Sequence, residues 1–240
     1  MIGGRSVLAV VPARGGSKGI PLKNLREVGG RSLVARVGDV VREVPEVDRT
    51  VASTDHAGIA AAAKEAGIDV PFLRPEPISG DRIGDFDVLM HALKATEAID
   101  KKTYDIVVML QPTSPLRTPA QVSGTIHMLA DGNWDSVWTV SPTDSKSHPL
   151  KQLTVASDGM LGYYDSRGDR IVARQELSPV YHRNGIAYAI TRDCLLNQGS
   201  IKGGRAGAFV VDGDHVSIDT EWDIQLVEWI LSKRKDGPSQ

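Results

Sequence analysis

Short runs of apolar, β-branched residues alternate with segments of helical periodicity through the first 140 residues. Residues 6–13 and 105–113 are too short for buried helices and predict buried strands. The other predicted strands lie at 48–54, 69–75 and 136–142, and the predicted helices at 31–44, 56–67, 85–98 and 118–132, with a closing helix around 224–230. Such alternation is typical of parallel βαβ units with helices on both faces. We therefore predict an α/β fold, a Rossmann-like three-layer sandwich with a mainly parallel sheet, and ligands bound beyond the carboxyl ends of its strands.

This alternation stops between about residues 141 and 179, where hairpin-like pieces are separated by turns at 157–159 and 166–169. The pattern predicts an arm of about 143–178 inserted in a single domain, 1–240. The chain resumes at 181–191 as a strand or turn, and its tail, 235–240, is expected to fray.

Composition excludes several classes of protein. A chain of 240 residues that is 41% hydrophobic can bury a full core. The net charge of −2 provides no general attraction for nucleic acid or an anionic membrane. Cys194 is the only cysteine, which excludes an intramolecular disulfide and a thiolate zinc cluster. Because no signal segment or run of ~20 apolar residues is present, we expect a soluble, cytoplasmic protein.

The loop VVPARGGSKGIPLKN, residues 10–24, combines three glycines with several cations at the end of the first predicted strand. Glycine permits the positive φ angles with which successive backbone N–H groups converge on an anion. Arg14, Lys18 and Lys23 could add charge for a polyphosphate. The spacing matches neither G-x-G-x-x-G nor the P-loop. The loop therefore predicts a phosphate site of another kind, with a basic surface turn as the alternative.

Together with LQPTSPLR (110–117) and YHRNGIAYAI (181–190), this loop resembles the signature segments of the acylneuraminate cytidylyltransferases, the CMP-sialic acid synthetase family. The resemblance extends over roughly residues 7–230. It implies an enzyme that transfers CMP from CTP to the anomeric hydroxyl of an acidic 2-keto sugar and releases pyrophosphate. It also implies Mg²⁺ as cofactor and a homodimer whose subunits exchange the inserted arm.

The resemblance assigns roles to individual residues. It implies catalytic roles for Lys23, Arg14 and Asp219, with Lys23 the best candidate to stabilise charge on the transferring phosphate. The implied nucleotide-binding residues are Arg14, Gly15, Ser17, Lys18, Lys23, Asn24, Arg74 and Asp85. Asp85 stands where the family often has a serine, which leaves its role open.

The implied sugar-binding residues are Gln111, Lys151, Arg174, Asn184 and Tyr188, of which Lys151 and Arg174 would reach the active site from the arm. Two alternatives remain open. Tyr188 lies in an apolar run and could be a core residue. Arg117, which closes the segment containing Gln111, could form a salt bridge at a helix entry.

The metal prediction centres on the segment SIDTEWD, 217–223. The family usually places two aspartates around one residue here, whereas this chain has Ser217 and Asp219. Asp219 is therefore the predicted Mg²⁺ ligand, and Ser217 is a weaker candidate. Asp223 could support the metal site or compensate the helix N-terminus.

Two alternative functions follow from these residues. One is a related nucleotidyltransferase acting on Kdo, legionaminate, pseudaminate or another anionic acceptor. The other is a non-catalytic homologue that binds nucleotide, which the serine at position 217 favours.

Overall fold

The computed structural model describes residues 1–235. In chain order its elements are β1 (Val7–Pro12), β2 (Glu27–Val28), β3 (Arg31–Ser32), α1 (Leu33–Val41), β4 (Arg49–Ser53), α2 (Ala57–Glu65), α3 (Asp85–Asp100), β5 (Ile106–Met109), α4 (Pro119–Asp131), β6 (Ser136–Pro142), β7 (Leu153–Val155), β8 (Leu161–Tyr163), β9 (Tyr181–Thr191), α5 (Arg192–Leu196), β10 (Ala206–Val210) and α6 (Glu221–Lys235). Residues 236–240 of the tail, for which fraying is predicted, lie outside the described residues.

The central sheet has the strand order β10-β6-β9-β5-β1-β4. All neighbouring pairs are parallel except the two made by β9, which is antiparallel to β5 and β6. The predicted mainly parallel sheet is confirmed. Because β9 runs against its neighbours, its first residues lie at the edge where the other strands end.

Helices cover both faces of this sheet and complete the predicted three layers. Along β1, Val7, Ala9 and Val11 face the core shared with α1, α2 and α4. Leu8 and Val10 face the opposite core, which includes residues of α3 and α5. The alternation follows from the two-residue period of a strand, and each fully buried Leu or Val contributes about 1.5–3 kcal/mol.

A third core fastens α6 against the loop that follows β1. Ile224, Val227 and Ile230 of α6 are buried, and they join Ile20 and Val28 in one apolar cluster. This packing brings the segment before α6 next to the glycine-rich loop, although the two are some 200 residues apart in sequence.

One predicted strand is wrong. Residues 69–75 form a loop in which only Asp69 makes an isolated bridge, to Val51 of β4. Pro71 and Pro75 lack the N–H groups that a ladder requires. Conversely, β10 was not predicted, because a segment containing Gly207 has little strand propensity of its own.

The segment between β6 and β9 contains the antiparallel hairpin β7–β8 and short 3-10 turns. Leu153, Val155, Leu161 and Tyr163 of this hairpin are all exposed. Its part in a dimer stays a prediction. Within residues 1–235, none of the helices has the length and hydropathy needed to span a bilayer.

Candidate functional site

A cleft of about 620 Å³ opens at the edge where β1 and β5 end, the position expected for a ligand in this fold. Most of the predicted site residues line it. They are Arg14, Ser17, Lys18, Lys23, Asn24, Arg74, Asp85, Gln111, Ser217 and Asp219. Lys151, Arg174, Asn184 and Tyr188 are not among its lining residues, and Gly15 lies in the loop beside it.

Two side chains hold the glycine-rich loop in place through hydrogen bonds to its backbone. The Gly15 N–H donates to Asp55 Oδ1 at 2.8 Å, and Asn24 Nδ2 donates to the Arg14 carbonyl at 3.0 Å. A Cβ atom at Gly19 would lie 2.6 Å from the Asp219 carbonyl oxygen. The loop therefore packs directly against the segment before α6, and Asn24 stabilises the loop from within.

Lys23 connects the loop after β1 to the segment before α6. Its Nζ donates to the Ile218 carbonyl and to Asp219 Oδ1, both at 2.8 Å. The Lys23 side chain is only 15% exposed, whereas that of Asp219 is 75% exposed. The ammonium group is thus held in one place at the wall of the cleft.

Asp81 also lines the cleft and was not predicted. Its Oδ2 pairs with Lys18 Nζ at 2.7 Å, and its Oδ1 accepts from Arg14. Hydrogen bonds from Lys18 and Arg14 lower the pKa of Asp81. The carboxylate thus neutralises two cations of the predicted phosphate site. The sequence shows only that an acidic residue lies in the turn before α3. It does not show that this residue pairs with Arg14 and Lys18.

Arg74 is buried at the end of β4. Its Nε donates to Ser53 Oγ at 3.0 Å, its Nη2 donates to the Ser53 carbonyl, and burial lowers its pKa. Asp85 is the first residue of α3 and is half-buried. Burial raises the pKa of Asp85, and the charges of Arg183 and Arg74 oppose this shift.

Arg117 joins the end of β5 to the middle of β9 and is 5% exposed. It donates to the carbonyls of Gln111 at 2.6 Å and Gly185 at 2.9 Å, and also to that of Ile186. Within residues 1–235 no carboxylate pairs with it, so the alternative of a helix-entry salt bridge is wrong. The guanidinium is bound instead by backbone carbonyls, one just after β5 and two within antiparallel β9.

Gly185 allows β9 to approach Gln111. Its φ is +70°, and a Cβ atom there would lie 2.6 Å from both Gln111 Oε1 and Ser114 Oγ. A side chain at this position is excluded by backbone conformation and by space. The close approach holds the Gln111 amide in the cleft.

Asn184 and Tyr188 support this strand from inside the sheet. Asn184 Oδ1 accepts from Thr139 Oγ1 at 2.6 Å, and its Nδ2 donates to Ser141 Oγ at 3.0 Å. The Tyr188 hydroxyl accepts from the Gly185 N–H at 3.0 Å. Tyr188 is 2% exposed within the second core, as the core alternative predicts. A direct sugar contact for either residue stays a prediction.

The two arm residues lie apart from the cleft of their own chain. Lys151 and Arg174 are exposed, and Arg174 lines a smaller cavity of about 170 Å³ with His148 and Tyr181. Their predicted role at a sugar site stays a prediction.

The metal candidates Ser217 and Asp219 share the cleft wall. Among residues 1–235, no cluster of three or more His, Cys, Asp or Glu side chains could hold a metal ion. Asp223 lies behind them, where its Oδ2 accepts from the Asp219 N–H at 2.9 Å and the Thr220 N–H at 2.7 Å. These residues therefore suit a cation such as Mg²⁺ that takes one carboxylate, water and the ligand's own phosphates.

Comparison with known proteins supports the family resemblance that the sequence motifs indicate. A family model described as cytidylyltransferase matches residues 8–225. CMP-N,N'-diacetyllegionaminic acid synthase of Legionella pneumophila is 29% identical over 233 residues, covering 96% of this chain and 98% of that protein. N-acylneuraminate cytidylyltransferase of Streptococcus agalactiae is 28% identical over 223 residues, covering 90% of this chain and 51% of that longer protein.

Solved structures share the fold, and one of them holds CTP. CMP:2-keto-3-deoxy-manno-octonic acid synthetase, complexed with CTP, superposes with a TM-score of 0.68 at 18% identity, covering 95% of this chain and 99% of that one. At this identity the likeness is one of architecture, and it agrees with the observed α/β sandwich.

Proposed function

The chain belongs to the cytidylyltransferase family, and on that premise we propose that it transfers CMP from CTP to the anomeric hydroxyl of a nonulosonic acid. The names of its relatives support legionaminate and N-acylneuraminate as the first acids to consider. The observation that carries the proposal is the cleft in which Lys23 and the glycine-rich loop face Gln111.

The loop suits a triphosphate by charge and by geometry. Three cations line the cleft: Arg14 and Lys18, both paired with Asp81, and Lys23, which is held by Asp219. A cation held where negative charge develops stabilises the transition state without reorganising. In this proposal Lys23 acts on the transferring phosphate, Arg14 and Lys18 bind the departing pyrophosphate, and Arg74 positions the nucleotide.

Asp219, assisted by Ser217, would hold Mg²⁺ together with the phosphates of CTP. When bound, the ion would neutralise phosphate charge. Asp219 has only one oxygen paired with Lys23, and the side chain is largely exposed to the cleft. The Asp223 carboxylate orients the backbone of this segment through the Asp219 N–H.

We further propose a homodimer in which the arm of one subunit completes the cleft of the other. The exposed apolar hairpin β7–β8 supports this proposal, because such surface favours burial against another protein. The two exposed arm cations, Lys151 and Arg174, have the charge needed to bind a sugar carboxylate. Sedimentation of the purified chain tests the dimer, and mixing Lys151→Ala with a Lys23→Ala subunit tests exchange by complementation.

The direct test is pyrophosphate release from CTP with a panel containing N-acetylneuraminate, N,N'-diacetyllegionaminate, a pseudaminate and Kdo, with and without Mg²⁺. ATP, GTP and UTP serve as nucleotide controls. We expect turnover with CTP and at least one nonulosonic acid. Tight CTP binding without turnover on any acid would contradict the proposal and favour the non-catalytic homologue.

A further inference from the structure

Three carboxylates line the cleft, and two of them already have cationic partners. Asp81 pairs with Lys18 and Arg14, and Asp219 pairs with Lys23. Asp85 differs, since within residues 1–235 its carboxylate makes neither an ion pair nor a hydrogen bond. The Asp85 carboxylate is therefore free to accept a hydrogen bond or a proton from a molecule bound in the cleft.

Charged groups from two parts of the chain act on Asp85. One is Arg74, which is bonded to Ser53 at the end of β4. The others, Arg183 and Tyr188, belong to β9. Gln111, at the end of β5 between these strands, lines the same cleft. Asp85 therefore lines the same cleft as Arg74 and Gln111, within reach of the charges of both Arg74 and Arg183.

The reaction proposed above requires a proton acceptor. As the anomeric oxygen forms its bond to the α-phosphorus, the bond from that phosphorus to the bridging oxygen breaks, and pyrophosphate leaves. The hydroxyl proton must pass to a base. We propose that Asp85 is this base and takes the proton from the attacking anomeric hydroxyl.

This inference rests on the proposed function and adds a catalytic residue to it. Burial raises the pKa of the Asp85 carboxyl, which makes it the stronger base, while hydrogen bonds from Lys18 and Arg14 lower the pKa of Asp81. A base works best when its pKa approaches the working pH. Of the two carboxyls with shifted pKa in the cleft, only Asp85 is shifted in the useful direction.

The test compares Asp85→Asn with a matched control, Asp87→Asn. Asp87 lies in the same first turn of α3, is exposed, and does not line the cleft. Both variants remove one negative charge. General bases typically contribute 10²–10⁴-fold, so we expect Asp85→Asn to lower kcat by at least ~10²-fold and Asp87→Asn to leave it within about twofold. Calorimetric titration with CTP should show that Asp85→Asn binds the nucleotide no more than a few-fold more weakly.

The pH profile separates a proton acceptor from a merely structural residue. In the wild type and in Asp87→Asn, kcat should rise with pH and level off as Asp85 deprotonates. In Asp85→Asn that plateau should be lost, because the proton then passes to hydroxide. Asp85→Glu should restore part of kcat.

The outcomes are distinct. If the wild type turns over and Asp85→Asn keeps kcat within about threefold with the same pH profile, the base assignment is overturned while the proposed function stands. If Asp85→Asn loses CTP binding in proportion to kcat, Asp85 is a nucleotide ligand and not the base. If the wild type itself releases no pyrophosphate with any acid, the proposed function fails and this inference fails with it.

Discussion

Replacement of Lys23 by alanine should separate catalysis from stability. In the folded protein the Lys23 ammonium group pairs with a carboxylate that is 75% exposed, and such pairs stabilise a protein by at most about 1 kcal/mol. A fixed donor aimed at developing charge is worth about 2.7–4 kcal/mol in the transition state, or 10²–10³-fold in kcat. The catalytic effect should therefore exceed the structural one several-fold.

The assay is steady-state pyrophosphate release at saturating CTP and acid, combined with thermal unfolding. For Lys23→Ala we expect kcat to fall by at least ~10²-fold, while the melting temperature falls by only about 2–4 °C. Lys94→Ala, at an exposed position of α3 outside the cleft, is the matched control and should change neither. A kcat within about threefold of the wild type would refute the reasoning, as would a loss of folding large enough to explain the lost activity.

Three further variants test other parts of the cleft. Gly185→Ala should destabilise the protein by about 1–3 kcal/mol, measured by urea unfolding, because its φ is +70° and the new Cβ would meet Gln111; unchanged stability would contradict this geometry. Asp81→Asn should tighten CTP binding a few-fold in calorimetry, because the triphosphate no longer displaces a carboxylate from two cations; weaker binding would instead assign Asp81 a part in holding the nucleotide. Ser217→Asp should lower the Mg²⁺ concentration needed for half-maximal activity if this position lies beside the ion held by Asp219; no response would place it outside the metal site.

Much of the fold followed from local patterns. The strand and helix periods predicted β1, β4, β5 and β6 and the helices between them, because these periods reflect which side chains face the core within one element. The helix start at Thr118 was also local, and the structure confirms it with a capping box to Gln121. By contrast, the apolar pattern of residues 69–75 predicted a strand, but the segment is a loop because its two prolines lack the N–H groups that a ladder requires.

The chemistry of the site was also partly local. The glycines and cations of residues 10–24 predicted an anion site before any contact was known, and the structure places Arg14, Lys18 and Lys23 on one cleft. Which carboxylates oppose them was not predictable, since Asp81 is some 65 residues away in sequence and reaches Arg14 and Lys18 only through the fold.

By itself, then, the sequence determined the kinds of element, their order and the charge of the loop after β1, because each depends on neighbouring residues. Only the tertiary structure decided the rest. The antiparallel entry of β9 brought Gly185 against Gln111, the packing of α6 brought Asp219 to Lys23, and the fold left Asp85 without an ion pair among residues 1–235. Such relations join residues far apart in the chain, and they exist only when long-range burial and hydrogen bonding select one fold.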